Sequence, residues 1–260
     1  MKKNYDMIAS LGGNCAAASQ LRMRGLRLYS LPFDWLYMKD SQTIEWIADN
    51  FSRKFDNLML QENLVPIPEQ DLHGGGTAPF GYKDTISGYG FIHHFFGPKD
   101  NPAAFNSVKA KMSRRVARFF SKLEEAESIL FILATNFSYD ENLADNLAKT
   151  IRNLYPNKVI DFHFMQFRYK FSDCTQTARE SIDEHLSKCC YAREIGDYDF
   201  EKTSSEWAFL DNVVLKDEAR CCLGIKDKFL YKIWKHISKY FLNKGYGCKG
   251  VSFGKEIYDK

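Results

Sequence analysis

A chain of 260 residues with 45% hydrophobic and 27% charged side chains can bury a sizeable core, and such a composition excludes a disordered chain. A formal net charge of +3 is too small for the dense basic stripe of a nucleic-acid binder, so no nucleic-acid partner is expected. No stretch is long and apolar enough to span a membrane or serve as a signal peptide, which makes the cytoplasm the expected location.

The seven cysteines are odd in number and lack C-x-x-C spacing, so they read as free thiols. The 15% aromatic content points to large cores or a lined cleft.

In chain order, "YDMIASL" (residues 5–11) reads as a strand broken by Gly12 and Gly13. Asn14 then caps a helix that stops at Gly25. A second helix starts near Ser41, with Ile44, Ile47, Ala48 and Phe51 at helical spacing. Residues 64–90 are rich in proline and glycine, include "HGGG", and read as a long irregular loop or lid.

"YGFIHHFF" (residues 89–96) then looks like a short buried strand or a sheet edge. An amphipathic helix follows through residues 107–127, with Val108, Met112, Val116, Phe119 and Leu123 on one face. "SILFILATN" (residues 128–136) is a continuous apolar strand. Asp140 caps a helix bearing Leu143, Leu147, Ile151 and Leu154, and "KVIDFHFMQF" (residues 158–167) is the next strand.

Thr177 and Glu180 form a capping box for a helix to about Lys188, and a short strand "YAREIGDY" (residues 191–198) comes after it. Residues 226–260 hold a last amphipathic helix and a tail. Strands alternating with helices predict a single α/β domain over residues 1–260, built on a mostly parallel sheet with helices on both faces.

In an open α/β sheet, ligands gather where strands end at their carboxyl edge, which is where Cys15 sits. As the first residue of a capped helix it lies among free N–H groups and at the positive end of the dipole, conditions that favour a thiolate. Gly13, Asn14, Cys15 and Ala16 would then offer N–H groups to an oxyanion.

A thiol also needs a base, and His93 and His94 lead. In an extended run their rings point to opposite faces, so at most one meets Cys15. His163 alternates with phenylalanines as a core or lining residue, and His185 and His236 read as helix-surface positions. His73, His93 and His94 match no metal-ligand spacing, so neither metal nor cofactor is expected. A third residue orienting the histidine would be Asn136, at the end of an apolar strand, or Asp34, which is equally placed to cap or to pair with Arg27.

The string "SLGGNCAAASQLRMRGLRLYSLPFDWL" resembles the opening motif of a bacterial and viral family described as papain-like cysteine peptidases, the domain of unknown function numbered 1796. It carries S-L-G at Ser10 to Gly12, the cysteine at Cys15, G-L-R at Gly25 to Arg27 and P-F-D-W at Pro32 to Trp35. The family's F-x-H-x-F segment looks like "FIHHF" (residues 91–95), and its arginine-rich helix before an apolar strand looks like "SRRVARFF" and "ILFI". The resemblance implies Cys15 as nucleophile and His93 as base, with His94 standing where the family usually has Asp.

Thiol acyl chemistry on an unidentified peptide or other acyl substrate is therefore the first expectation, as hydrolase or acyltransferase. A second reading is a phosphate or sugar-nucleotide site of glycan metabolism, built from the glycine turn with Arg27, Arg114, Arg115 and Arg118. A third is a non-catalytic interaction module in which Cys15 and His93 stand apart.

Overall fold

The computed structural model of the protein describes residues 3–27, 29–38, 40–68, 80–137, 139–169, 179–183, 185–193 and 205–216. The elements run β1 (Lys3–Tyr5), β2 (Met7–Ser10), α1 (Cys15–Met23), β3 (Tyr37–Met38), α2 (Gln42–Asn50), β4 (Leu64–Pro66), β5 (Phe80–Asp84), β6 (Tyr89–Phe95) and α3 (Pro102–Glu125). Then come β7 (Ser128–Thr135), α4 (Glu141–Leu154), β8 (Val159–Tyr169), β9 (Arg179–Asp183), β10 (Leu186–Arg193) and β11 (Val213–Leu215).

The apolar run of β7 carries no polar alternation because both faces of the strand are covered, and β8 is buried on both faces as well, although Asp161 and His163 alternate with its phenylalanines. The two strands lie in the middle of a five-stranded sheet of order β2-β7-β8-β10-β9, parallel throughout except for β9. Side chains alternate between two cores. On one face Ala9, Phe131 and Phe162 pack with residues of α2, α3 and α4. On the other, Ile8, Ile132 and Met165 pack with Ala17 and Leu21 of α1 and with Trp207 of a 3-10 turn over Ser205–Asn212. The expected parallel α/β sheet with helices on both faces is the architecture observed.

The aromatic content goes into this core. Phe51 meets Phe119 at 5.8 Å, Phe120 at 5.8 Å and Phe131 at 6.0 Å between ring centroids, all edge to face. Each fully buried phenylalanine contributes roughly 2–3 kcal/mol by removal of its surface from water.

Two expectations are corrected. The stretch 64–90 is not an irregular loop throughout: β4, β5 and β6 join β3 in a four-stranded antiparallel sheet of order β3-β6-β5-β4, while residues 69–79 with "HGGG" lie outside the described residues. The prolines misled because Pro66 sits on β4, the edge strand, where a missing N–H removes no ladder bond.

The helix expected to run to Lys188 is absent, since Arg179–Asp183 and Leu186–Arg193 are strands. Eight registered positions from Leu186↔Phe162 to Arg193↔Tyr169 give β10 a ladder on β8 that a local capping signal does not outweigh. Thr177, residues 194–198 and the C-terminal segment 226–260 lie outside the described residues. Among the described residues no helix is long and apolar enough to cross a membrane.

Candidate functional site

The chain leaves β2 through Gly12 and Gly13, both with positive φ, +93° and +99°. A Cβ on Gly13 would lie 1.9 Å from the Ala134 carbonyl oxygen, so only glycine lets this turn pass so close to β7. The turn is held from three sides. Ala134 N–H donates to the Gly12 carbonyl at 3.3 Å, Met38 N–H of β3 donates to the Gly13 carbonyl at 3.1 Å, and the buried Tyr89 hydroxyl of β6 donates to the Leu11 carbonyl at 3.3 Å. The last two bonds seat the antiparallel sheet over the carboxyl edge of the parallel one.

Asn14 has the extended backbone of an N-cap and its Oδ1 accepts the Ala16 N–H at 2.8 Å, which makes Cys15 the first helical residue as its sequence predicts. His93 comes from β6, 78 residues away, and its Nε2 lies 3.4 Å from Cys15 Sγ. Tyr82 pairs with Phe91 whereas Phe80 pairs with Phe95, so four steps along β6 face two along β5. His93 and His94 sit in that slip, and a bulge of this kind re-aims side chains.

His94 turns the other way, 3.5 Å from an Arg115 guanidinium nitrogen and edge to face with Phe91. Its Nδ1 is buried without a hydrogen-bond partner among the described residues.

The sequence offered Asp34 and Asn136 to orient His93, and neither hydrogen-bonds to it. Asp34 is buried, and its Oδ2 accepts from Arg27 Nε at 2.7 Å and from Leu31 N–H at 2.8 Å. Asn136 follows β7 directly, and its Oδ1 accepts from Asn14 Nδ2 at 3.0 Å.

Three of the four arginines named for an anion clamp are engaged within the fold. Arg27 holds Asp34 and the Ser30 hydroxyl, Arg118 donates to the Ser30 carbonyl and lies over the Tyr29 ring, Arg115 is buried beside His94, and Arg114 is exposed. Ala16 N–H is taken by the Asn14 cap, which removes it from the expected oxyanion donors.

His163 stacks on Phe209 at 3.7 Å in the second core. His185 lies beside β10 rather than on a helix, while His73 and His236 lie outside the described residues. Among the described residues no three His, Cys, Asp or Glu side chains gather as a metal ion requires.

Trp35 is the lining residue that sequence reading passed over. Its ring stands edge to face with His93 at 6.2 Å, with the guanidinium carbons of Arg22 and Arg27 at 5.3 and 5.5 Å from the ring centre. Its φ of +67° is strained for a tryptophan, and such strain gathers at functional sites. The "PFDW" string drew attention to its aspartate, and the backbone signal at the tryptophan is invisible in sequence.

Burial pushes the Cys15 thiol up to about 11, the Asp34 charge adds to this, and the Cys15 N–H turned toward its own sulfur returns only part of it. Burial also holds the His93 imidazole below the ordinary histidine value. The resting pair is thus a neutral thiol beside a neutral imidazole, and the helix dipole that was expected to favour a thiolate is outweighed by desolvation.

A cysteine opening the first helix of a parallel α/β sheet, with a histidine brought onto its sulfur, is the arrangement of a Cys–His protein. The chain belongs to the family described as "Putative papain-like cysteine peptidase (DUF1796)", whose model matches residues 6–170. The match spans Cys15, Asp34, His93 and Asn136 and ends before β9. An uncharacterized protein of Acanthamoeba polyphaga mimivirus is 31% identical over 139 residues, covering 50% of this chain and 61% of the viral protein. The chain thus spans less than two thirds of the length of that relative. No solved structure matches it.

Proposed function

We propose that the protein is a thiol-dependent hydrolase or acyltransferase in which Cys15 attacks a substrate carbonyl and His93 carries the proton. The observation that supports this is the 3.4 Å separation between Cys15 Sγ and His93 Nε2, reached across 78 residues at the carboxyl edge of the sheet. As the C–S bond forms, the thiol proton passes to Nε2 and the carbonyl π pair moves to oxygen. As the intermediate collapses, the leaving group departs with its bonding pair and collects that proton, and the thioester passes its acyl group to water or another nucleophile.

The neutral resting pair suits this order, because His93 is unprotonated and ready as a base at pH 7. A phosphate or sugar-nucleotide site is less well supported, since the Asn14 cap takes the Ala16 N–H and Asp34 takes Arg27.

Iodoacetamide tests the pair without a known substrate. The expected result is alkylation of Cys15 at pH 7 at least about tenfold faster than in His93→Ala, in line with the usual size of general-base assistance. Equal rates in the two proteins overturn the proposal, as does any acyl-transfer activity that survives Cys15→Ala.

A further inference from the structure

A chain of hydrogen bonds decides how the Asn136 amide is turned. The Ala16 backbone N–H can only donate, so the Asn14 atom 2.8 Å from it is the oxygen. Asn14 therefore presents its Nδ2 on the other side, where it donates to Asn136 at 3.0 Å, and the atom receiving that bond must be Asn136 Oδ1. The Asn136 Nδ2, with two N–H groups, then faces away from Asn14 and has no hydrogen-bond acceptor among the described residues.

The position is fixed from behind as well. Asn136 follows the last residue of β7, and Thr135 Oγ1 donates to the Phe137 carbonyl at 2.9 Å, closing the turn around it. The residue is only partly buried, and its contact partner Asn14 is the immediate neighbour of Cys15.

We infer that Asn136 Nδ2 is a donor to the oxyanion formed when Cys15 attacks a carbonyl, and that Asn136 is a catalytic residue rather than an orienter of His93. The assignment rests on the Cys15–His93 reading above. The Asn136 amide is then the side-chain donor next to the start of the helix, while the Cys15 N–H is turned toward its own sulfur and the Ala16 N–H is consumed in setting the amide's direction. A donor fixed before substrate arrives needs no reorganisation as charge develops, which is what makes such groups effective.

The step it assists is the addition of Sγ to the carbonyl carbon. The C–S bond forms, the π pair becomes the oxyanion lone pair that Nδ2–H receives, and the thiol proton goes to His93. When the C=O bond re-forms, the leaving group departs with its bonding pair and Nδ2 is released.

Two reactions of the same sulfur separate this role from a structural one. Alkylation by iodoacetamide displaces iodide at a saturated carbon and makes no oxyanion, whereas acetylation by p-nitrophenyl acetate passes through one. For Asn136→Ala the expected result is an acetylation rate about 100-fold lower, the usual size of one lost oxyanion donor, with alkylation of Cys15 within about twofold of wild type.

Asn14→Ser keeps an N-cap but removes the amide that turns Asn136, so acetylation should fall by a smaller factor and alkylation again stay level. An Asn136→Ala variant that loses both reactions equally, or neither, overturns the assignment. So does a wild-type protein that is alkylated with His93 dependence yet takes no acetyl group from the ester. If alkylation itself shows no dependence on His93, the Cys15–His93 reading falls instead.

Discussion

Two histidines at opposite ends of the parallel sheet make contrasting sites. At the carboxyl edge His93 faces a thiol, and among the described residues no carboxylate or amide is hydrogen-bonded to its ring, while the Asn136 amide nitrogen, held by the neighbour of that thiol, lacks an acceptor. At the amino edge His185 Nδ1 lies 2.6 Å from Asp161, and the same carboxylate accepts from Lys3 at 3.0 Å and from the Tyr5 hydroxyl. Asp161 is buried and saturated, and the cluster ties β1, β8 and the start of β10 together. Both ends hold polar groups out of water, but one is satisfied by the fold and the other retains bonding capacity for a reacting molecule.

The contrast is most sharply broken through backbone. Gly13→Ala would drive a Cβ into the Ala134 carbonyl at 1.9 Å while forcing a φ of +99°, and should leave the chain unfolded or less stable by about 3 kcal/mol or more in urea denaturation. Gly12→Ala is the control. Its φ is +93° but its nearest new contact is an ordinary 3.4 Å, so a loss of about 1 kcal/mol is expected.

At the other end, Asp161→Ala strips Tyr5, Lys3 and His185 of their shared acceptor. It should lower stability by about 2–3 kcal/mol while leaving the Cys15 alkylation rate within about twofold. A large drop in alkylation would show that the two ends are coupled.

The two histidines of the site and Tyr5 at the other end should also respond at opposite extremes of pH. Burial holds His93 below the ordinary histidine value of 6.5 and His94 well below it, where the charges of Arg115, His93 and Lys111 add to burial. The unfolded chain therefore takes up protons that the folded one refuses, and stability from this end is intact above about pH 6.5 and falls as pH drops below it.

Tyr5 has the opposite sign. Burial first, then the hydrogen bond to Asp161 and its charge, raise the phenol well above 10.0, so its contribution holds below that pH and is lost as pH rises past it. Thermal melts from pH 5 to 11 measure both limbs, and Tyr5→Phe should lessen the alkaline one, to which the raised Cys15 and Tyr89 also contribute. The smallest effect expected is a rise of a few-fold in Cys15 alkylation at pH 8 in Asp34→Asn, because that charge is the lesser cause of the raised thiol.

Legibility followed the range of the interactions. The Asn14 cap, the helical start at Cys15, the long apolar face of α3 and the buried run of β7 all rest on groups a few residues apart, and all were readable. The β9–β10 pairing was misread as a helix because Thr177 and Glu180 carry a local capping pattern whereas the ladder depends on β8. His93 and His94 illustrate the limit best. Alternation says that they face opposite ways, but which one meets the sulfur is set by a pairing slip against β5 and by two bonds that fasten β3 and β6 to the glycine turn.

By itself, then, the sequence determined a mostly parallel α/β sheet with helices on both faces and a cysteine at the first helical position beyond its first strand, since caps, glycine turns and apolar periodicity act over a few residues. Only the tertiary structure decided that His93 reaches that cysteine, that Asp34 serves Arg27, and that Asn136 binds Asn14 and presents its amide nitrogen. Those contacts join residues from 7 to 122 positions apart, and the one that brings His93 to the sulfur exists only once the two sheets have packed.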